Sequence, residues 1–195
     1  MSVRLTLIGQ GASAATRAGS FPTDEGLDAA GLAAALRGAA AIRRVDAAWR
    51  GPGRAARETA EAFGVQARED CRLREIDYGH WAGRGMDAVP PPDLAAWLGD
   101  PVAAPHGGES IALAIARMAE WMAGLEDHRV LAVVPASLAR AAIVTALGAP
   151  SASFWRIDVP PLGHVVLSGR GEVWTVQSLG RLPLLPKAGE EDAEA

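Results

Sequence analysis

The chain has 195 residues, 49% hydrophobic and 22% charged, enough apolar length to bury a full core and incompatible with disorder throughout. The formal charge is −4, and four acids (Glu190, Glu191, Asp192, Glu194) fall in the last six residues, so residues 1–189 balance and offer no basic footprint for nucleic acid. A lone Cys71 excludes an internal disulfide, and His80, His106, His128 and His164 sit at no zinc-ligand spacing, so neither a metal nor a cofactor is expected.

Val3–Ile8 is rich in β-branched residues and leucine, ends at Gly9-Gln10-Gly11, and predicts a buried strand delivering its C-terminal end into a tight turn. Residues 29–37 predict a helix with Leu32, Ala35 and Leu36 on its packed face, and 45–49 a second strand broken by Gly51-Pro52-Gly53. A helix over 54–63 follows, then a short extended piece near 65–67. Residues 73–85 predict a loop excursion, and 93–98 a short helix after Pro90-Pro91-Pro92. Residues 111–125 predict a helix, 130–134 a central parallel strand and 138–147 another helix. Runs at 165–167 and 173–176 predict a closing hairpin.

Strands alternating with helices imply a three-layer α/β/α sandwich with a mostly parallel central sheet over residues 1–185, followed by a solvated acidic tail over 186–195. No run approaches 18 apolar residues and the first residues carry no leader pattern, so no membrane contact and a cytoplasmic location are expected. Gly9-Gln10-Gly11-Ala12-Ser13-Ala14 has the form of a dinucleotide fingerprint, but Phe21-Pro22 interrupts where its helix should run and no acid ends a second strand at the required distance. No G-x-S-x-G elbow exists, and neither Ser110 nor Ser137 sits in a hydrolase pattern. Cys71 is expected as a small buried hydrophobe, His80 and His128 as surface loop residues, and Trp81, Trp97, Trp121 and Trp155 as packing residues.

Six segments in order carry a more specific signal: Gly9-Gln10-Gly11, Phe21–Leu27, Gly51–Ala60, the set Leu73, Glu75, Gly79, Trp81 and Gly83, then Gly107-Gly108-Glu109-Ser110 and Val134–Arg140. In this order the chain resembles the histidine phosphatase superfamily, the phosphoglycerate-mutase-like fold, from Leu5 to about Gly180. Members of that family transfer a phosphoryl group to a histidine at the end of the first strand. Two arginines and a second histidine bind the phosphate oxygens, and an acid protonates the leaving oxygen.

Aligned on these motifs, the nucleophile falls on Gln10, the first arginine on Gly9, the second on Ala55 and the second histidine on Pro135, with Gly11 and Ala136 beside them; only Glu75 keeps the acid. A carboxamide nitrogen is delocalised into its carbonyl and forms no useful phosphoramidate, and proline offers no donor. The resemblance therefore implies a non-catalytic member that binds a ligand or partner. The pocket would take a small phosphorylated or other anionic ligand weakly, and a protein partner or second copy is the other option.

Two alternatives remain open. One is an active phosphomonoesterase or mutase-like hydrolase rebuilt around Glu75 with water or His106; the other is a structural or assembly subunit. Arg17, Arg54, Arg57 and His106 are candidate phosphate or ligand contacts, since Arg54 and Arg57 lie within one helical turn of Ala55.

Overall fold

A computed structural model describes residues 2–171 and 173–185. Its centre is a six-stranded mixed sheet in the order β3-β2-β4-β1-β5-β6. The strands are β1 (Val3–Gly9), β2 (Ala47–Arg50), β3 (Arg68–Glu69), β4 (Arg129–Val134), β5 (Gly163–Arg170) and β6 (Val173–Arg181). The first four in sequence run parallel to one another, and the β5–β6 hairpin joins antiparallel to β1. The C-terminal ends of β1, β2 and β4 therefore open on the same edge, where open α/β sheets place ligands.

Alternation along β1 sorts the two cores. Leu5 and Leu7 pack under α5 (Ile111–Ala123) and α6 (Ala136–Leu147) with Met118, Trp121 and Leu138. On the other face, Ile8 packs with Ala35 of α2 (Ala29–Gly38) and with Ala56 and Ala60 of α3 (Arg54–Ala62). Two smaller α-helices are α1 (Ala14–Ala18) and α4 (Pro91–Gly99). This is the expected α/β sandwich. The expected acidic tail over 186–195 lies outside the described residues.

The predicted face of α2 is corrected. Leu32 and Leu36 are exposed, and the buried residues are Gly31, Ala35 and Gly38. A Cβ on Gly31 would stand 2.1 Å from the Ala12 carbonyl oxygen, so the helix packs too closely on the β1 turn for a leucine face to serve. β3 lies at Arg68–Glu69, where only two residues pair with β2, while Val65 and Ala67 pack against the second core. Cys71 is exposed in a 3₁₀ turn instead of buried.

The excursion over 73–85 is held by backbone contact. Glu109 N–H donates to the Asp77 carbonyl at 2.8 Å and His80 N–H to the His106 carbonyl at 3.0 Å. Gly79 takes φ +48°, and a Cβ there would meet the His106 oxygen at 2.1 Å. Gly108 is closed in the same way, with the Asp77 oxygen 2.0 Å from its Cβ position. The glycines in these two segments thus let one loop lie directly on the other.

Candidate active site

A cavity of about 270 Å³ opens at the shared strand edge. Gln10 after β1, Gly51-Pro52-Gly53 after β2 and Pro135 after β4 line it, together with Ala55, Arg54, Glu75 and Arg74. The turn containing Thr23, Asp24 and Glu25 forms the remaining wall. Four of the positions singled out by the motifs, Gln10, Ala55, Glu75 and Pro135, therefore share one cavity. Gly9, Gly11 and Ala136 stand behind it: Gly9 carbonyl accepts from Leu162 N–H, Gly11 N–H donates to Thr59 Oγ1 at 3.0 Å, and Ala136 begins α6.

Glu75 is half-buried, and its Oε1 collects three donors: Ser137 Oγ in a short contact, Ile76 N–H at 2.8 Å and Tyr78 Oη at 3.4 Å. Among the described residues Oε2 accepts no hydrogen bond. Burial raises the Glu75 pKa above the ordinary value, opposed by the bonds from Ser137, Ile76 and Tyr78 and by the charge of Arg117. Burial and then the neighbouring Glu75 push the Tyr78 phenol well up, so it remains a donor. Glu75 is consequently biased toward the protonated form with one oxygen free of partners, the state a general acid needs.

Backbone donors complete the site. At the start of α3, Arg54 N–H is taken by Asp24 Oδ1 at 2.8 Å, and Gly53 provides no side-chain cap. Ala55 and Ala56 N–H groups have no partner among the described residues, and both residues line the cavity. α6 also begins at this cavity, with Pro135 as an N-cap that makes no side-chain bond. Two helix N-termini thus bring positive dipole ends to one space, an arrangement suited to an anion.

Side-chain cations are fewer. Arg54 pairs with Glu58 at 3.2 Å and Arg74 with Glu109 at 3.2 Å, and both guanidiniums remain about half exposed. Opposite them stand Asp24 and Glu25. Burial raises the Glu25 carboxyl, but hydrogen bonds from Thr23 and Ser13 outweigh it and hold its pKa below the ordinary value.

The other candidate contacts lie elsewhere. Arg17 is tied to Asp28 and lines a separate hollow beside α2, and Arg57 pairs with Glu61 at 3.8 Å behind α3. His106 is 0% exposed, its ring against Trp81 with centroids 5.0 Å apart. Its Nδ1 accepts from Gly108 N–H at 3.0 Å, and burial lowers its pKa, so it is a neutral packing imidazole with no route to a substrate. Arg17, Arg57 and His106, expected as ligand contacts, do not line the Glu75 cavity. Ser137, Tyr78 and Arg74 were missed because their roles come from neighbours in space. Ser137 had a readable signal, its place in the first turn of the helix that follows β4.

No group of three or more His, Cys, Asp or Glu side chains suited to a metal occurs among the described residues. Among them, too, no helix is long and apolar enough to cross a membrane.

The sheet order, the strand-end cavity and the half-buried acid Glu75 define a phosphoglycerate-mutase-like α/β protein, and the chain belongs to the histidine phosphatase superfamily (branch 1), matched over residues 7–181. A glucosyl-3-phosphoglycerate phosphatase of Mycolicibacterium vanbaalenii is 32% identical over 65% of this chain, and the chain spans 60% of that relative's length. The native structure of the mycobacterial glucosyl-3-phosphoglycerate phosphatase superposes with a TM-score of 0.80 at 25% identity, covering 93% of this chain and all of that one. The same mycobacterial enzyme in complex with VO3 superposes at 0.79 with 26% identity, covering 92% of this chain and 99% of that one. These relatives overturn the expectation of a non-catalytic binding protein, because those sharing its sequence and fold are phosphatases.

Proposed function

We propose that the protein is a phosphoric monoester hydrolase acting on small phosphate esters in the cavity around Glu75, without a phosphohistidine. The observation that carries this is the Glu75 carboxyl, raised in pKa and with Oε2 free, facing a cavity closed by two helix N-termini. Gln10 stands at the strand end and cannot take the phosphoryl group, so the reaction is a single displacement by water. The water oxygen bonds to phosphorus as the ester P–O bond breaks, Glu75 gives its proton to the leaving oxygen, and the water's proton passes to phosphate or solvent. Alcohol and inorganic phosphate are the products.

Phosphoryl transfer has a loose transition state that asks chiefly for positioning and charge stabilisation. Ala55 and Ala56 N–H groups and the Arg54 and Arg74 guanidiniums would meet the equatorial oxygens. The Gln10 carboxamide, which has no hydrogen-bond partner among the described residues, would orient the attacking water as glutamine does in other phosphoryl-transfer sites. The relatives' action on a phosphoglycerate ester supports an alkyl leaving group, for which protonation matters most.

The test compares an aryl ester, p-nitrophenyl phosphate, with an alkyl ester, β-glycerophosphate, from pH 4 to 8. We expect turnover above blank that falls with rising pH as Glu75 ionises. Glu75→Gln should lose a factor of about 10² or more on the alkyl ester and much less on the aryl ester, whose leaving group needs no proton. Turnover that is absent, or that Glu75→Gln leaves intact on β-glycerophosphate, ends this reading.

A further inference from the structure

A larger cavity, about 530 Å³, lies at the opposite end of the sheet. Arg4, Thr6 and Ile8, alternate residues on one face of β1, line it together with residues 40–45 and 182–185. Arg4 and Ile8 both line it, while Gln10, two residues beyond Ile8, lines the Glu75 cavity. Six residues of extended chain separate Arg4 from Gln10, roughly 20 Å.

Its walls are apolar: Ile42, Val45, Val166, Leu182 and Leu184. Its rim is cationic. Arg4, Arg43, Arg44 and Arg129 all border it. Arg129 is paired with Asp46 at 2.7 Å, and the Arg4 guanidinium donates to the neutral Gln177 at 2.7 Å, with no ion pair among the described residues. Arg43 and Arg44 make no ion pair or side-chain hydrogen bond among the described residues. Within the apolar wall, Thr6 hydroxyl makes no hydrogen bond among them either, and His164 Nδ1 is buried without a partner. An apolar hollow of this size with a few unmatched polar groups and a one-signed rim is the usual make-up of a small-molecule site.

We propose that this cavity binds a small amphiphile with a single anionic head, seated with its chain against Ile42, Val166 and Leu184 and its head at Arg43 and Arg44. The charge of the rim selects the head, and the apolar wall selects the body. The site is independent of the reaction at Glu75, so it stands or falls apart from the phosphatase reading.

The test is isothermal titration of the full chain with decanoate, hexanoate and decylamine, beside an Arg43→Glu/Arg44→Glu variant whose exposed positions leave folding intact. We expect saturable decanoate binding at one site, weakened roughly tenfold or more by shortening to hexanoate and by the double reversal, with no saturable binding of decylamine. An unchanged thermal midpoint in the variant assigns the loss to the rim. Absent decanoate binding, equal binding of decylamine, or unchanged affinity in the variant overturns the proposal. Cosedimentation with phosphatidylglycerol vesicles in the absence of decanoate binding also overturns it, because the rim then serves a lipid surface. If decanoate binds only once Glu190, Glu191, Asp192 and Glu194 are changed to Gln, the chain's own acids are the natural occupant and the proposal falls.

Discussion

Glu75 shows how one side chain couples chemistry to stability. Its folded-state pKa lies above the ordinary value because burial penalises the anion, so the folded chain holds this proton more tightly than the unfolded one. That contribution is fully present below the unfolded pKa, near the ordinary 4.5, and is lost as pH rises through the raised folded value. Gln at this position accepts the same bonds from Ser137, Ile76 and Tyr78 without the charge. Urea unfolding of Glu75→Gln should therefore show a stability gain over the parent that is small at pH 4.5 and grows toward pH 8; a difference that stays constant with pH would refute the buried-acid account. At this scale the sequence displayed the acid but not its environment. Leu73, Glu75 and Gly79 form a readable motif, whereas Ser137 arrives from 62 residues away and can be assigned only once β4 and α6 are in place.

Among the elements, those with strong periodicity were legible. β1, α5, β4, α6 and the closing hairpin fall close to where alternation and helical spacing put them. The face of α2 was not, because a helix seated on backbone buries glycine and alanine, which hydrophobic spacing does not reveal. The Gly107–Ser110 segment was legible as a motif and opaque in role. Ser110 caps α5, accepting from Leu113 N–H at 3.3 Å. Glu109 receives a bidentate pair from Arg117 at 2.8 and 2.6 Å, both side chains nearly buried, and Arg117 also donates to the Arg72 and Arg74 carbonyls. Glu109 thus anchors the segment that presents Glu75. Glu109→Ala strands the Arg117 charge in the interior and should cost about 3 kcal/mol in urea unfolding, against about 1 kcal/mol for Ser110→Ala, which removes only a cap. Equal losses from the two would show that the ion pair is no anchor.

Across the molecule the two ends of the sheet differ in electrostatic character, and the difference sets how the Glu75 cavity meets anions. The strand-end cavity is lined by Arg54 and Arg74 against Asp24, Glu25 and Glu75, so its side chains balance only when Glu75 holds a proton. When Glu75 is ionised, attraction rests on the helix N-termini, each worth well under the charge-assisted bond an arginine would add. Sulfate keeps a constant charge from pH 5 to 8, so any change in its affinity over that range reports on the protein. Calorimetric titration should give weak binding, on the order of millimolar or weaker, that tightens as pH falls and Glu75 becomes neutral. Glu75→Gln should bind sulfate at pH 8 more tightly than the parent does at that pH, and should lose most of the pH dependence. Sodium chloride at matched ionic strength removes the screening contribution. An affinity that is flat with pH in the parent, or equally steep in Glu75→Gln, would mean that the anion does not sense the Glu75 carboxyl.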